Sequence, residues 1–226
     1  MSLWQDFTIH HKDTEFMSYT ESLFRNSESG IRNHLGSLKL PLPPEPTNSR
    51  PHEPPTMLET YHPTPEEQEF KEQMLRFICE NDDCFYRTNL AGHITGSAWV
   101  LSPDGTEVLM NHHAFLDMWM QFGGHADGES NIKLVALREA QEESGIEEIE
   151  FVSEDIFDID IHEIPFNEKK GEPAHLHYDI RFLLKAKHKN FVISNESKQL
   201  KWMTPEEIKV LNLNRSIMRM VEKVFG

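Results

Sequence analysis

The sequence predicts an α/β fold, on three observations. Short apolar or alternating runs at 93–101, 107–112, 157–162 and 175–180 carry the two-residue period of strands. Apolar residues recur at helical spacing near 66–80 and 204–224, with a further helix through Leu134 to Glu143. The two kinds of segment interleave along the chain, which suits helices packed on a sheet.

The chain has 226 residues, enough for one large domain or a domain with an arm. Hydrophobic content of 38% suffices for a core but is low enough to leave part of the chain outside it. A net charge of −16 argues against a general electrostatic grip on nucleic acid or an anionic membrane. A polyanionic substrate remains open if a divalent cation mediates the contact. Cys79 and Cys84 are too few for a disulfide framework or, by themselves, a zinc site. No apolar run approaches the ~20 residues that span a bilayer, and no signal peptide is visible. The expectation is a soluble cytoplasmic protein.

Residues 1–65 read as an N-terminal arm, with short apolar clusters before 40 that suit one or two short helices. From Pro41 to Pro65 the prolines crowd, so this part should be extended. It reads either as a flexible linker or as an ordered arm anchored by Met57, Leu58 and Tyr61. Residues 66–226 form the expected main domain, with its core at 90–226. Thr64-Pro65-Glu66-Glu67 has the composition of a helix start, and Phe70, Met74, Phe77 and Ile78 repeat behind it. A loop with Cys84, Phe85 and Tyr86 packed follows. His93–Leu101 and Glu107–His112 form a hairpin about Pro103-Asp104-Gly105 that leads toward a glycine-rich loop.

Downstream, Phe157–His162 and His175–Ile180 alternate strictly around turn chemistry at 165–173. Paired about the loop centre, His162 would oppose His175, Asp160 would oppose His177, and Asp158 would oppose Asp179. All six polar residues then share one face. That face is either a solvated surface or a second substrate or metal locus, for which His and Asp are suitable ligands. Phe191-Val192-Ile193 reads as a further strand. One last helix starts at Thr204-Pro205-Glu206-Glu207 and runs through Ile208, Leu211, Ile217, Met220 and Val224.

The chemistry concentrates at Gly123-Gly124-His125-Ala126-Asp127-Gly128 and at Arg138-Glu139-Ala140-Gln141-Glu142-Glu143-Ser144-Gly145. On a helix, Glu139, Glu142 and Glu143 share a face at i, i+3 and i+4, where like charges repel. Three carboxylates on a rigid helix suit Mg²⁺ or Mn²⁺. Arg138 is placed to hold Glu142 from the side, Gly145 suits a left-handed helix end, and the Gly-Gly pair permits close backbone approach. Leu134 and Leu137 lie opposite the glutamates with Val135 and Ala136 on the flanks, so the helix should be sandwiched.

In this stretch the sequence resembles the Nudix box. Gly124, Arg138, Glu139, Ala140, Glu142, Glu143, Gly145 and Ile146 all fall in register with its pattern. The box's first glutamate is Ser130 here, with Glu129 one residue early. In the family that residue supports the loop-to-helix geometry. The resemblance implies an α/β/α sandwich with a mixed sheet. It implies a hydrolase that cuts the pyrophosphate bond of a nucleoside diphosphate linked to another moiety. Gly123 (by its carbonyl), Glu139, Glu142 and Glu143 would hold Mg²⁺ or Mn²⁺. Glu196, before a Trp-containing strand, joins them by position. Glu139 is the expected base toward water, with Glu143 beside it in the catalytic set. His125 and Asp127 either touch substrate or shape the turn, and His162, His175 and His177 are further candidates for substrate contact. Such domains often pair, which leaves a homodimer open alongside other oligomeric states. ADP-ribose, dinucleoside polyphosphates, NADH and oxidised nucleotides all stay open as substrates. The other readings are a nucleotide-sensing module with weak turnover, and an interaction protein using its proline-rich arm.

Overall fold

A computed structural model describes residues 56–168 and 171–226. They fall within one compact unit of the chain, Pro46–Gly226. The readings for residues 1–55 lie outside the described residues. The sheet is built on β1 (Gly92–Leu101), every residue of which is buried. β7 (His175–Ala186) runs parallel to it along its full length. On the other side β4 (Phe122–His125) pairs antiparallel with Thr95–Ala98, and β2 (Val108–His113) joins at Leu101↔Val108. β3 (Met118–Met120) and β8 (Ser197–Met203) flank β2, while β5 (Ile149–Phe151) and β6 (Asp158–Ile164) flank β7, all antiparallel. The sheet is mixed and eight-stranded.

Alternate residues of β1 serve two layers. Ile94, Ala98 and Val100 join a core with α2 (Gln68–Glu80) and α3 (Ile132–Ser144). Trp99 and Leu101 join a second core beneath α4 (Pro205–Val210) and α5 (Arg215–Phe225). The result is an α/β/α sandwich. Among the described residues, no helix is long and apolar enough to cross a membrane.

Several expectations change. The proline-free stretch Thr56–Thr60 is a short helix, α1, rather than extended chain, and Leu58 is 0% exposed in the core. Tyr86 is exposed, although it lies over Gly128, while Cys84 and Phe85 are buried. The glycine-rich loop is partly strand. A Cβ on Gly123 would collide with Ser97 Oγ, so only glycine pairs this closely with β1. α3 is not sandwiched: its buried stripe is Ile132, Val135, Ala136, Ala140, Glu143 and Ser144, and Leu134 is 48% exposed. Residues 191–193 form no strand, because Val192 donates its N–H to the Ser144 carbonyl at the end of α3.

The last helix is two. Asn212 turns left-handed (φ 49°), and Asn214 caps α5 by accepting the Ile217 N–H at 3.0 Å. The β6–β7 hairpin closes by the Asn167↔Glu172 bridge and a turn from Glu168 to Gly171 (φ 64°). That turn sits one position later than the loop centre. His162 therefore faces His177, Asp160 faces Asp179 and Asp158 faces Arg181. A shift of two keeps side chains on the same face, so the shared polar face survives with Arg181 added.

Candidate active site

The carboxylates of α3 meet the glycine strand at one wall of a cavity of about 670 Å³, within the ~300–1,000 Å³ usual for ligand pockets. Glu139, Glu142, Glu143, Glu196, Gly123 and Gly124 all line it. Gly124 is pressed on Glu139, since a Cβ there would lie 2.5 Å from the carboxyl carbon. Glu143 is 7% exposed and accepts from Asn111 Nδ2 at 2.9 Å. Burial, then the charges of Glu139 and Glu196, push its carboxyl up to about 8 against the bonds from the Gly123 N–H and Asn111. Glu139 is also raised, by burial first, with Arg138 opposing and Glu142, Glu196 and Asp127 adding to it.

Arg138 pairs with Glu139 at 2.9 Å, not with Glu142 as its spacing suggests, and its other contact is the His125 carbonyl at 3.1 Å. Held by the His125 carbonyl at the end of β4, the guanidinium reaches Glu139 rather than Glu142. Glu129 accepts the Asn131 N–H at 2.7 Å at the entrance to α3, while Ser130 is exposed. The helix ends at Gly145, left-handed at φ 65°, with its N–H on the Gln141 carbonyl. Asp127 is itself left-handed (φ 49°) and is held by both Nε and Nη2 of Arg87. Its side chain thus shapes the loop at the cavity edge.

A second wall comes from the polar face of β1, β6 and β7. Asp179 takes Thr95 Oγ1 at 2.9 Å, Ser97 Oγ at 2.7 Å, Gln121 Nε2 at 3.2 Å and Arg181 Nε at 2.7 Å. Arg181 also reaches Asp158 and Asp160, which Arg219 binds from α5. Toward the open end of this face stand the imidazoles. His93 packs on His125, His175 and His177, and His162 on His177. His162 also bonds Asp160 at 3.2 Å. Burial pushes His125 down to about 4, assisted by Arg87 and His93. Burial likewise drives His93 down and His177 far down, neighbouring imidazoles adding to it.

The NUDIX domain family matches residues 93–224, more than half of the chain. The chain belongs to the Nudix family. It is a pyrophosphohydrolase of the Nudix type, a class that uses divalent cations. Similar solved structures include a C. elegans Ap4A hydrolase binary complex, 20% identical with TM-score 0.46, covering 57% of this chain and 93% of that one. An E. coli dihydroneopterin triphosphate pyrophosphohydrolase is 18% identical with TM-score 0.44, covering 57% and 92%. The NUDIX domain of Shewanella oneidensis NrtR, complexed with ADP ribose, is 15% identical with TM-score 0.39, covering 57% and 84%. No curated protein matches the chain at a significant level.

The residues of this Nudix site fit a divalent cation. The donors are hard carboxylate oxygens, two of them held above their usual range, and Asn111 Oδ1 beside them is buried without a hydrogen-bond partner. Sequence reasoning placed Asp179 on the polar face but missed Asn111, Arg87 and His93. Asn111 and His93 lie in readable strands, but nothing local says which neighbour each strand takes.

Proposed function

We infer that the chain hydrolyses the pyrophosphate bond of a nucleoside diphosphate linked to a second moiety, in a reaction that depends on Mg²⁺ or Mn²⁺. The observation that carries this is the convergence of Glu139, Glu142, Glu143 and Glu196 with the glycine strand on one cavity wall. Those carboxylates and the Gly123 carbonyl would hold the cation. Bound there, the ion neutralises charge on the diphosphate oxygens.

The protein's own groups supply the rest. Glu139, half-desolvated and raised in pKa, takes a proton from the attacking water. Arg138 fixes its orientation by bridging to the His125 carbonyl. Asn111 and the Gly123 N–H fix Glu143, so the carboxylate wall is set before substrate arrives. His125, Asp127, His162, His175 and His177 line the same cavity and face the part of the substrate beyond the diphosphate. Ser130 does not weaken this reading, because Glu129 secures the start of α3.

The test is release of nucleoside monophosphate from a panel of nucleoside diphosphate derivatives with Mg²⁺ or Mn²⁺, beside Glu143→Gln. Turnover should need the cation and fall by ~10²–10⁴ in the variant. Undiminished turnover in the variant refutes the site, and ligand binding without turnover in the wild type moves the reading to a sensing module.

A further inference from the structure

Three histidines of the cavity, His125, His175 and His177, stand together with His93, which does not line it. His93 comes from β1, His125 from β4, and His175 and His177 from β7. One ligand nitrogen from each lies within 4.8 Å of the others. His93 is 2% exposed, and neither of its ring nitrogens makes a hydrogen bond of ordinary geometry. The Asn89 backbone lies beside it, out of ordinary hydrogen-bond geometry, and a buried ring so poorly satisfied is costly, so its position needs an explanation.

The tautomers supply a second observation. His175 Nδ1 lies 2.8 Å from the Pro173 carbonyl, which can only accept, so Nδ1 carries the proton. In the neutral ring that tautomer puts the lone pair on Nε2, 3.2 Å from His177 Nε2. Two nitrogens of a tetrahedral zinc site are about 3.3 Å apart, given Zn–N near 2.0–2.1 Å. An imidazole whose far N–H is tied to a carbonyl is the arrangement found behind metal-binding histidines. Mutual hydrogen bonding does not satisfy the cluster, since His175–His177 is the one such bond among these rings in the described residues.

Four imidazoles this close cannot all be protonated, and as neutral nitrogen donors they select differently from carboxylates. Imidazole suits zinc, copper, nickel and iron, whereas Mg²⁺ takes oxygen. We propose that His93, His125, His175 and His177 form a second cation site, distinct from the carboxylate cluster, that takes a d-block divalent ion of the Zn²⁺ type. The site does not depend on the hydrolytic reading. It places a second positive charge on the cavity wall that an anionic substrate meets.

Metal-stripped full-length protein is titrated with Co²⁺ under saturating Mg²⁺, following the visible d–d band, and then with Zn²⁺. One equivalent should bind, give the intense band of a four-coordinate site, and be displaced by Zn²⁺ but not by Mg²⁺. Glu143→Gln should keep this binding even where hydrolysis is lost, which separates the two sites. His175→Ala and His177→Ala, verified as folded by circular dichroism, should weaken Co²⁺ by more than the ~10–100-fold that loss of an orienting partner costs. Should both fail to fold, X-ray absorption of the zinc-loaded wild type decides, with imidazole nitrogens dominating the coordination. Displacement by Mg²⁺, full binding in the histidine variants, or an oxygen-dominated shell would overturn the proposal.

Discussion

Glu143 shows how one residue carries opposed demands. The family chemistry needs its carboxylate, yet burial and two neighbouring carboxylates penalise the charge and raise its pKa from 4.5 to about 8. The sign follows from linkage: the penalty is absent below about pH 4.5, grows as the unfolded chain ionises, and is complete above about pH 8. Without divalent cation at pH 9, Glu143→Gln should therefore melt above the wild type, and near pH 5 the difference should close. A melting difference independent of pH would contradict the assignment. Residues of this kind were legible because the box is local: its glutamates, arginine and closing glycine lie within a few helical turns. His93 was not. Its meaning depends on contacts with His175 and His177, brought beside it from the far end of the chain.

At the scale of elements, one quartet behaves in two ways. Thr204-Pro205-Glu206-Glu207 makes a full capping box, Thr204 accepting from the Glu207 N–H while Glu207 accepts from the Thr204 N–H. Thr64-Pro65-Glu66-Glu67 makes half of one. Glu67 accepts the Thr64 N–H at 2.9 Å, but its other oxygen faces Tyr61 and Lys223, and α2 begins only at Gln68. Thr204→Ala should cost about 1 kcal/mol in urea unfolding, the usual value of a lost N-cap. A change near zero would mean that Pro205 alone sets the start of α4. The sequence announces both starts equally, and the partners of Glu67 decide between them. Asn212 and Asn214 split the final helix in a similar way, through a left-handed turn and a cap that apolar periodicity passes over.

The whole molecule is tied by charges buried between layers. Asp158 meets Arg181, Arg219 and Lys223, and Glu67 meets Lys223, so β6, β7, α5 and the entrance to α2 share one network. Burial alone would raise Glu67. Bonds from Lys223, Tyr61 and Thr64 outweigh it and hold its carboxyl near about 2, against 4.5 unperturbed. A depressed carboxylate stabilises fully above about pH 4.5 and loses that contribution as pH falls toward 2. The stability gap between wild type and Glu67→Gln should accordingly be largest near pH 6 and shrink steadily below pH 4.5 in denaturant titrations. A gap that stays constant to pH 2 would place the stabilisation elsewhere.

By itself, the sequence determined the α/β class, the box helix with its carboxylates, the closing glycine and the polar face shared by two strands. Each of these is written in a local period, 3.6 residues for a helix or two for a strand, which fixes the face a residue takes. Only the tertiary structure decided which faces meet. The parallel pairing of β1 with β7 set Thr95 and Ser97 against Asp179, more than 80 residues away. With the β1–β4 pairing it gathered four histidines from three strands, while Tyr61, Lys223 and the Ile159 N–H took one oxygen of Glu67 and left the other on its cap. Side-chain period names a face but not its neighbour. That choice is made where the buried surface and buried charge of the whole sheet are satisfied together.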